Sequence, residues 1–399
     1  MKYLTNKQKE IEKRLYETRK KSVTLFLYDV TSSYLEGQEN ELGDWGYNRD
    51  RKKGKKQVVV GLLCDEEGGP VSIEVFKGNT TDPKTFLNQL EKVKKEYKCE
   101  NVTFVGDRGM IKKVQKESLE EAGYYYITAI TKKEIGKLIK EKVINMELFD
   151  KELCEIICEG KRYIMRRNPY RAEEIKKTKE EKKEKIEKLI KKQNKYLVEH
   201  KKAKEETALK EIEKWIEKLK VSMWLKAEKA GRKIILIEDK AIKEEESKLD
   251  GCYVLTTDLP KKINKEKIHE RYKDLTEVER GFRTMKTTVL EMRPWYVRRE
   301  SSTRGHALVV MLAYYITREL QKMWKEFDLT VEEGLKRLSM LCTIDVKIGN
   351  NATYQQIPQA DKLGTNLLEE AGVIMPHVLH NLGANVVSRK KLPSQRKRY

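Results

Sequence analysis

The element order written into this 399-residue chain predicts an α/β protein built on a mixed five-stranded sheet with helices on its faces. Three strand-like runs follow one another with only a loop or a turn between them, which favours an antiparallel meander. Two further strand runs are each preceded by a helix, which favours parallel pairing through crossovers. The hydrophobic share of 38% is enough to build a core around them, while the 37% charged content leaves long solvated surfaces.

The elements are justified in chain order. Residues 6–21 are a polar helix with few apolar anchors. VTLFLYDVTSSYLE (23–36) is rich in β-branched and aromatic residues and reads as the first strand. A Gly-punctuated basic loop (40–56) leads to two further strands, QVVVGLLC and VSIEVFK, which turn at Gly68, Gly69 and Pro70. In 82–97, Phe86, Leu90 and Val93 share a helical face, and Asp82-Pro83 suits an N-cap followed by a first-turn proline. NVTFVGDRGM (101–110) is the fourth strand and ends at Asp107; a helix closed by Gly123 and the strand YYYITAI follow. Three hairpin-connected strands and then two parallel ones match the RNase H-like architecture.

Domain organisation follows. A helical remnant (1–22) precedes the first part of the RNase H-like domain (23–139); an inserted domain of strands and long charged helices (140–250) separates it from a second part (251–330); a helical region with a basic tail (331–399) ends the chain. The run 171–220 has sparse apolar positions at 186, 189, 197, 209, 212, 216 and 219, which suits a helical hairpin or one long helix with mostly solvated faces.

The formal net charge of +21 points to a polyanionic partner, nucleic acid before membrane surface. MKYLTNKQKE is charged where a secretory signal would be apolar. HALVVMLAYYI (306–316) is far short of the roughly 20 apolar residues of a membrane span, so no membrane is expected. The six cysteines have no paired metal-site spacing and read as reduced cytoplasmic thiols.

Asp29 ends an apolar run, where a lone buried carboxylate is costly. If the first and fourth strands are neighbours, Asp29 and Asp107 converge at one sheet edge, and two like charges there call for a divalent cation. The third acid comes from 271–300. Tyr272, Glu279 and Lys286 are seven apart, with Leu275, Phe282 and Met285 on the same side, so Glu279 falls on an apolar stripe. Asp274 and Glu277 have capping-box spacing, which would start the helix after Tyr272.

YDVTSSYLEG, VGDRGM and Y-x6-E-x2-FR-x2-K, followed by RPWYVRRE and RGHALVVMLAYYITREL, together resemble the DDE transposases of bacterial insertion sequences, most of all the subgroup with a tyrosine–arginine–glutamate–lysine signature. The resemblance covers about residues 23–130 and 250–325. It implies Asp29, Asp107 and Glu279 as catalytic acids and metal ligands for two Mg²⁺ ions, with Mn²⁺ able to substitute. It also implies Tyr272 and Lys286 as supporting phosphate contacts. The signature arginine falls at Leu275, with Arg271, Arg280 or Arg283 as possible replacements. Arg293, Trp295, Arg298 and Arg299 are the expected DNA contacts, arginines interleaved with aromatics beside the catalytic helix.

The activity implied is cleavage and strand transfer of double-stranded DNA at element ends, by a homodimer or larger assembly in the bacterial cytoplasm at the nucleoid. The family's usual N-terminal DNA-binding region is expected to be missing before the first strand, and a truncated copy is one expectation. The alternatives are a noncatalytic DNA-binding remnant and an RNase H-like nuclease or resolvase.

Overall fold

The computed structural model describes residues 2–19, 23–50, 52–287, 289–342, 344–348, 352–356, 358–374 and 378–379. The chain forms two compact units, Met1–Arg283 with Arg293–Ala307, and Thr284–Met292 with Leu308–Tyr399. Among the described residues no helix is long and apolar enough to cross a membrane.

In the first unit α1 (Lys2–Glu17) precedes β1 (Leu25–Tyr34), β2 (Gln57–Cys64) and β3 (Pro70–Lys77). Then come α2 (Asp82–Lys92), β4 (Thr103–Val105), α3 (Lys113–Glu121), β5 (Tyr125–Ala129) and α4 (Lys132–Lys140). The following segment holds β6 (Cys154–Cys158), β7 (Lys161–Arg167), α5 (Pro169–Glu199), α6 (Glu205–Lys218), β8 (Leu225–Ala230), β9 (Lys233–Glu238) and α7 (Lys240–Lys248). β10 (Cys252–Thr257), α8 (Lys265–Lys273), α9 (Leu275–Met285) and α10 (Glu300–Met323) continue the chain, and the last two helices run on into the second unit.

The main sheet has the order β3-β2-β1-β4-β5-β10-β7-β6. β1 is antiparallel to β2 and β2 to β3, while β1–β4 and β4–β5 are parallel. These are the five expected strands in RNase H-like order. Every residue of β2 is buried, as a strand covered on both faces requires. Three strands extend the sheet, because β10 pairs with β5 and β7 pairs with β10. β6 and β7, at the head of the segment expected as an insertion, therefore lie on the main sheet, and β10 covers the edge that β5 would otherwise leave unpaired.

The main core joins Phe26, Tyr28, Phe86, Phe104 and Tyr126 around β1, β4 and α2. α5, α6, β8 and β9 enclose a core of their own, built on Ile186, Leu197, Ile212, Ile216, Trp224 and Ile234, with Leu189, Leu209 and Leu219 packed against it. The sparse apolar positions of the charged run are thus the inner seam of two helices.

α1 is anchored by Tyr16, which stacks on Tyr97 at 4.8 Å, and by buried polar groups. Glu12 is fully buried and accepts from Lys92 Nζ at 2.8 Å, Gln8 Nε2 at 2.8 Å, Ser72 Oγ at 3.2 Å and the Ile73 amide at 3.1 Å.

The second unit contains α11 (Val331–Leu338), β11 (Ile344–Ile348), β12 (Ala352–Gln356), α12 (Lys362–Glu370) and β13 (Val378–Leu379). The expected helices are joined there by a three-stranded sheet, β11-β12-β13. Trp324 Nε1 donates to the Leu367 carbonyl at 2.9 Å. The basic tail, 388–399, lies outside the described residues.

Candidate active site

Leu25 to Tyr28 are completely buried on β1, and Asp29 follows them onto the wall of a cavity. The β1–β4 ladder pairs Leu25 with Thr103, Phe26 with Phe104 and Leu27 with Val105. Asp29 and Asp107 each stand two residues past the last pair of these adjacent parallel strands, Asp107 just beyond the end of β4 and Asp29 in the middle of β1, where the β1–β4 ladder has ended. After β4 the chain turns sharply: the Met110 amide donates to the Asp107 carbonyl at 2.9 Å and the Arg108 amide to Asp107 Oδ1 at 2.7 Å.

α9 buries Val278 and Phe282 and leaves Glu279 exposed. The β2–β3 turn packs against this helix. Gly68 adopts φ +79°, and an added Cβ there would meet Glu277 Cβ at 2.5 Å.

Asp29, Asp107 and Glu279 line one cavity of about 630 Å³, together with Arg49, Asp82, His269, Tyr272 and Lys273. The Asp29 carboxyl is pushed up to about 7. Burial is the main cause; Arg49 opposes it, and the charges of Glu279 and Asp107 add to it. The residue keeps some exposure because it opens onto the cavity, while protein encloses the rest of it. Burial also raises the Tyr272 hydroxyl, helped by the Asp107 charge. His269 bonds to the Tyr253 hydroxyl, and burial lowers its affinity for a proton.

The donor chemistry fits a hard divalent cation. Four carboxylates reach one cavity, Asp82 already paired with Arg49, and a cation would compete with the proton for the raised Asp29 carboxyl. The donors stand on the walls of an open site rather than in a cage: among the described residues no three His, Cys, Asp or Glu side chains could by themselves hold a metal ion. Mg²⁺ usually keeps several waters and takes substrate phosphate oxygens, so such a site suits it.

The family model described as "Transposase DDE domain" matches residues 21–316. The chain belongs to the DDE transposase family. Among curated proteins none matches it. Among solved structures, similarity is found to piggyBac transposase in a synaptic complex with hairpin DNA, at 7% identity and a TM-score of 0.38, over 74% of this chain and 46% of that one. The Mos1 transposase paired-end complex with left transposon end is 14% identical with a TM-score of 0.20, over 31% of this chain and 41% of that one. The Mos1 mariner paired-end complex with Mn is 16% identical with a TM-score of 0.19, covering 32% and 41%. This DDE-family chain therefore spans less than half the length of each.

Several expected site residues stand elsewhere than the sequence suggested. Tyr272 does not share a helix with Glu279: α8 ends at Lys273, Asp274 caps it, and α9 begins at Leu275. Thr276 Oγ1 bonds back to the Lys273 carbonyl at 2.8 Å, closing this break. Tyr272 reaches the cavity from the preceding helix instead. Glu277 pairs with Arg280 at 2.7 Å, which gives both a structural partner. Arg283 is exposed and does not line the cavity, and Lys286 falls in the second unit just past α9.

Trp295, expected to stack on DNA, is a core residue. It is 1% exposed, its amide donates to the Tyr34 carbonyl at 3.1 Å, and its ring packs edge-on to His306. Its neighbour Tyr296 is the exposed aromatic of that segment. Arg293 is paired with the buried Asp50 carboxylate, so much of its charge is spent inside the fold. Arg298 pairs with Glu39 at 3.0 Å, both side chains exposed, and Arg299 is exposed.

Sequence reasoning missed Arg49, Asp82, His269 and Lys273. Leu275 lines the cavity, and none of Arg271, Arg280 and Arg283 does; Arg49 and Lys273 bring positive charge to its wall. Arg49 holds both Asp82 oxygens, at 3.0 and 2.8 Å, and its amide donates to Ser32 Oγ at 2.7 Å. Nothing local separates it from the other cations of its loop; the hydrogen bond back to β1 does.

Proposed function

We propose that this DDE-family chain is a transposase of the bacterial insertion-sequence type, in the tyrosine–arginine–glutamate–lysine subgroup, that cleaves DNA at element ends and joins the freed 3′ hydroxyl to a target. The observation that carries the reading is the β1–β4 register, which sets Asp29 and Asp107 side by side, with Glu279 on the wall of the same cavity.

Asp29, Asp107 and Glu279 would hold two Mg²⁺ or Mn²⁺ ions. Bound there, the ions supply activation of the attacking oxygen and stabilisation of the leaving one. The chain's own groups do the positioning. Tyr272, held beside Asp107, offers a hydroxyl that keeps its proton and can donate to a phosphate oxygen. Lys286 and Arg283 contact phosphate, and Arg298 and Arg299 grip the backbone. Residues 140–250 form the inserted domain and help to handle DNA, which two or more copies hold in the cytoplasm.

The test is strand transfer. Protein, a donor end with a 3′ hydroxyl, target plasmid and Mg²⁺ are incubated, and joined products are expected. Nicks without joining would favour a nuclease. Cleavage that survives Asp107→Ala would show that the assigned site is wrong.

A further inference from the structure

Between β1 and β2 the chain reads DWGYNRDRKKGKK (44–56), with six basic residues and two acidic ones. Asp50 is engaged within the fold, and Asp44 is tied to its own neighbour's amide. Asp44 Oδ1 accepts from the Trp45 amide at 2.7 Å, and Asp50 accepts from the Tyr34 amide at 3.2 Å while pairing with Arg293. What the loop presents outward is therefore positive.

The loop is also pinned. Asp44 and Gln57 exchange two backbone hydrogen bonds, of 3.1 and 3.0 Å. Gly46 packs so closely that an added Cβ would meet the Gly78 carbonyl oxygen at 2.2 Å. Asn48 Nδ2 donates to the Lys52 carbonyl at 2.7 Å. On this fixed frame Trp45 is 56% exposed and Tyr47 83% exposed. Two large aromatic faces held rigidly in water contribute little to the fold, yet they are preorganised to receive something flat. The Arg49 guanidinium lies 5.9 Å from the centre of the Tyr47 ring, and Arg49 lines the cavity of Asp29. Aromatic face, cation and carboxylates thus follow one another from the loop into the site.

We propose that this loop is the platform on which unpaired bases at a DNA end stack, with Trp45 and Tyr47 taking the bases and Arg49 the adjoining phosphate as the strand enters the cavity. The proposal rests on the DNA-cleaving reading above. Unpaired bases are specified because paired bases stack on each other, only the outermost pair of a blunt end shows a single face, and two aromatic rings would take successive bases of a free strand. Lys52 and Lys53, both exposed, add attraction to the backbone that any DNA would feel.

The experiment uses the full-length chain in EDTA with two fluorescein-labelled probes: a blunt duplex of about twenty base pairs, and the same duplex with roughly four unpaired nucleotides at one end. The Trp45→Ala/Tyr47→Ala double variant should bind the extended probe roughly tenfold or more weakly, while the blunt probe loses less than about twofold. Tyr47→Phe, which keeps the ring, should retain most of the affinity. Equal losses on both probes, or no loss on the extended one, would overturn the platform. Wild-type protein that binds neither probe would overturn the DNA reading itself, which a change confined to the variants would not.

Discussion

Glu12 on α1 and Asp29 on β1 both set a carboxylate against the main sheet, and their surroundings differ. Glu12 is fully buried and receives four donors, with Lys92 shared between it and Glu74 at 2.5 Å and Arg304 reaching Glu74 at 3.2 Å. Burial pushes the Glu12 carboxyl up; burial also pulls the Lys92 ammonium down, but the charges of Glu12 and Glu74 outweigh it and leave Lys92 above its usual value. With two carboxylates this close, Lys92 stays charged. Asp29 instead opens onto a cavity shared with Glu279 and Asp107, groups of its own sign; Arg49 offsets them in part, and burial still keeps its carboxyl raised. A buried charge with its donors in place belongs to the fold, whereas one left among like charges marks a place where a ligand belongs.

The comparison is broken most directly at the sheet edge. Asp107→Ala or Asp29→Ala should cut Mg²⁺-dependent cleavage by about a thousandfold or more, as loss of a metal-holding group in a metal-dependent site would. Thermal melting should shift by no more than a few degrees. Release of labelled strands on a denaturing gel measures the first effect, and activity within tenfold of wild type would remove these acids from the mechanism.

The second effect belongs to the Glu12 cluster. Lys92→Met leaves two carboxylates without their cation and should cost about 3–5 kcal/mol in urea unfolding. Without Lys92, burial holds the Glu12 carboxyl still further above its unfolded value. The folded state then binds the proton more tightly than the unfolded chain, and the variant should regain stability as pH falls from 8 toward 5. A variant equally unstable at both pH values would show that Glu12 is not what the lysine neutralises.

Asp29 sharpens the contrast through pH. Its folded value of about 7 lies above the ordinary 3.8, so without metal its contribution to stability is present at low pH and is lost as pH rises through 7. Asp29→Asn should therefore raise the melting temperature at pH 8, whereas Glu12→Gln should lower it. In wild type the proton competes with metal, so cleavage should fall about tenfold per pH unit below the Asp29 midpoint, and that midpoint should move down as Mg²⁺ rises. A midpoint indifferent to Mg²⁺ would separate Asp29 from the cation. Smallest is Tyr272→Phe, expected to lower kcat severalfold with little change in KM. A change in KM alone would assign Tyr272 to ground-state binding.

Much of this site could be read before folding. Asp29 at the end of an apolar run and Asp107 at the end of another are local signals, because a carboxylate next to a strand's buried stretch is out of place on solvation grounds. Glu279 is picked out in the sequence by its place on an apolar stripe, yet α9 turns it outward: Val278 and Phe282 are buried and Glu279 is exposed on the cavity wall. For Tyr272 two local signals disagree: the seven-residue spacing puts it on the helix of Glu279, while the Asp274–Glu277 spacing starts that helix after it, and the hydrogen bonds of Thr276 and Asp274 decide for the second. Trp295 and Tyr296 were not separable. Both are aromatic and adjacent to arginine, and only packing against His306 and pairing with β1 bury one and leave the other in water.

By itself the sequence determined the strands and helices of residues 23–130, the meander followed by parallel crossovers, and that Asp29 is out of place beside its apolar run, since these depend on alternation, period and desolvation within a few residues. The tertiary structure decided that β10, β7 and β6 continue the sheet, that Arg49 rather than another cation of its loop reaches Asp29, and that Trp45 and Tyr47 stay exposed while Trp295 does not. Those outcomes rest on pairing and packing between residues far apart in the chain, and no local pattern carries that register.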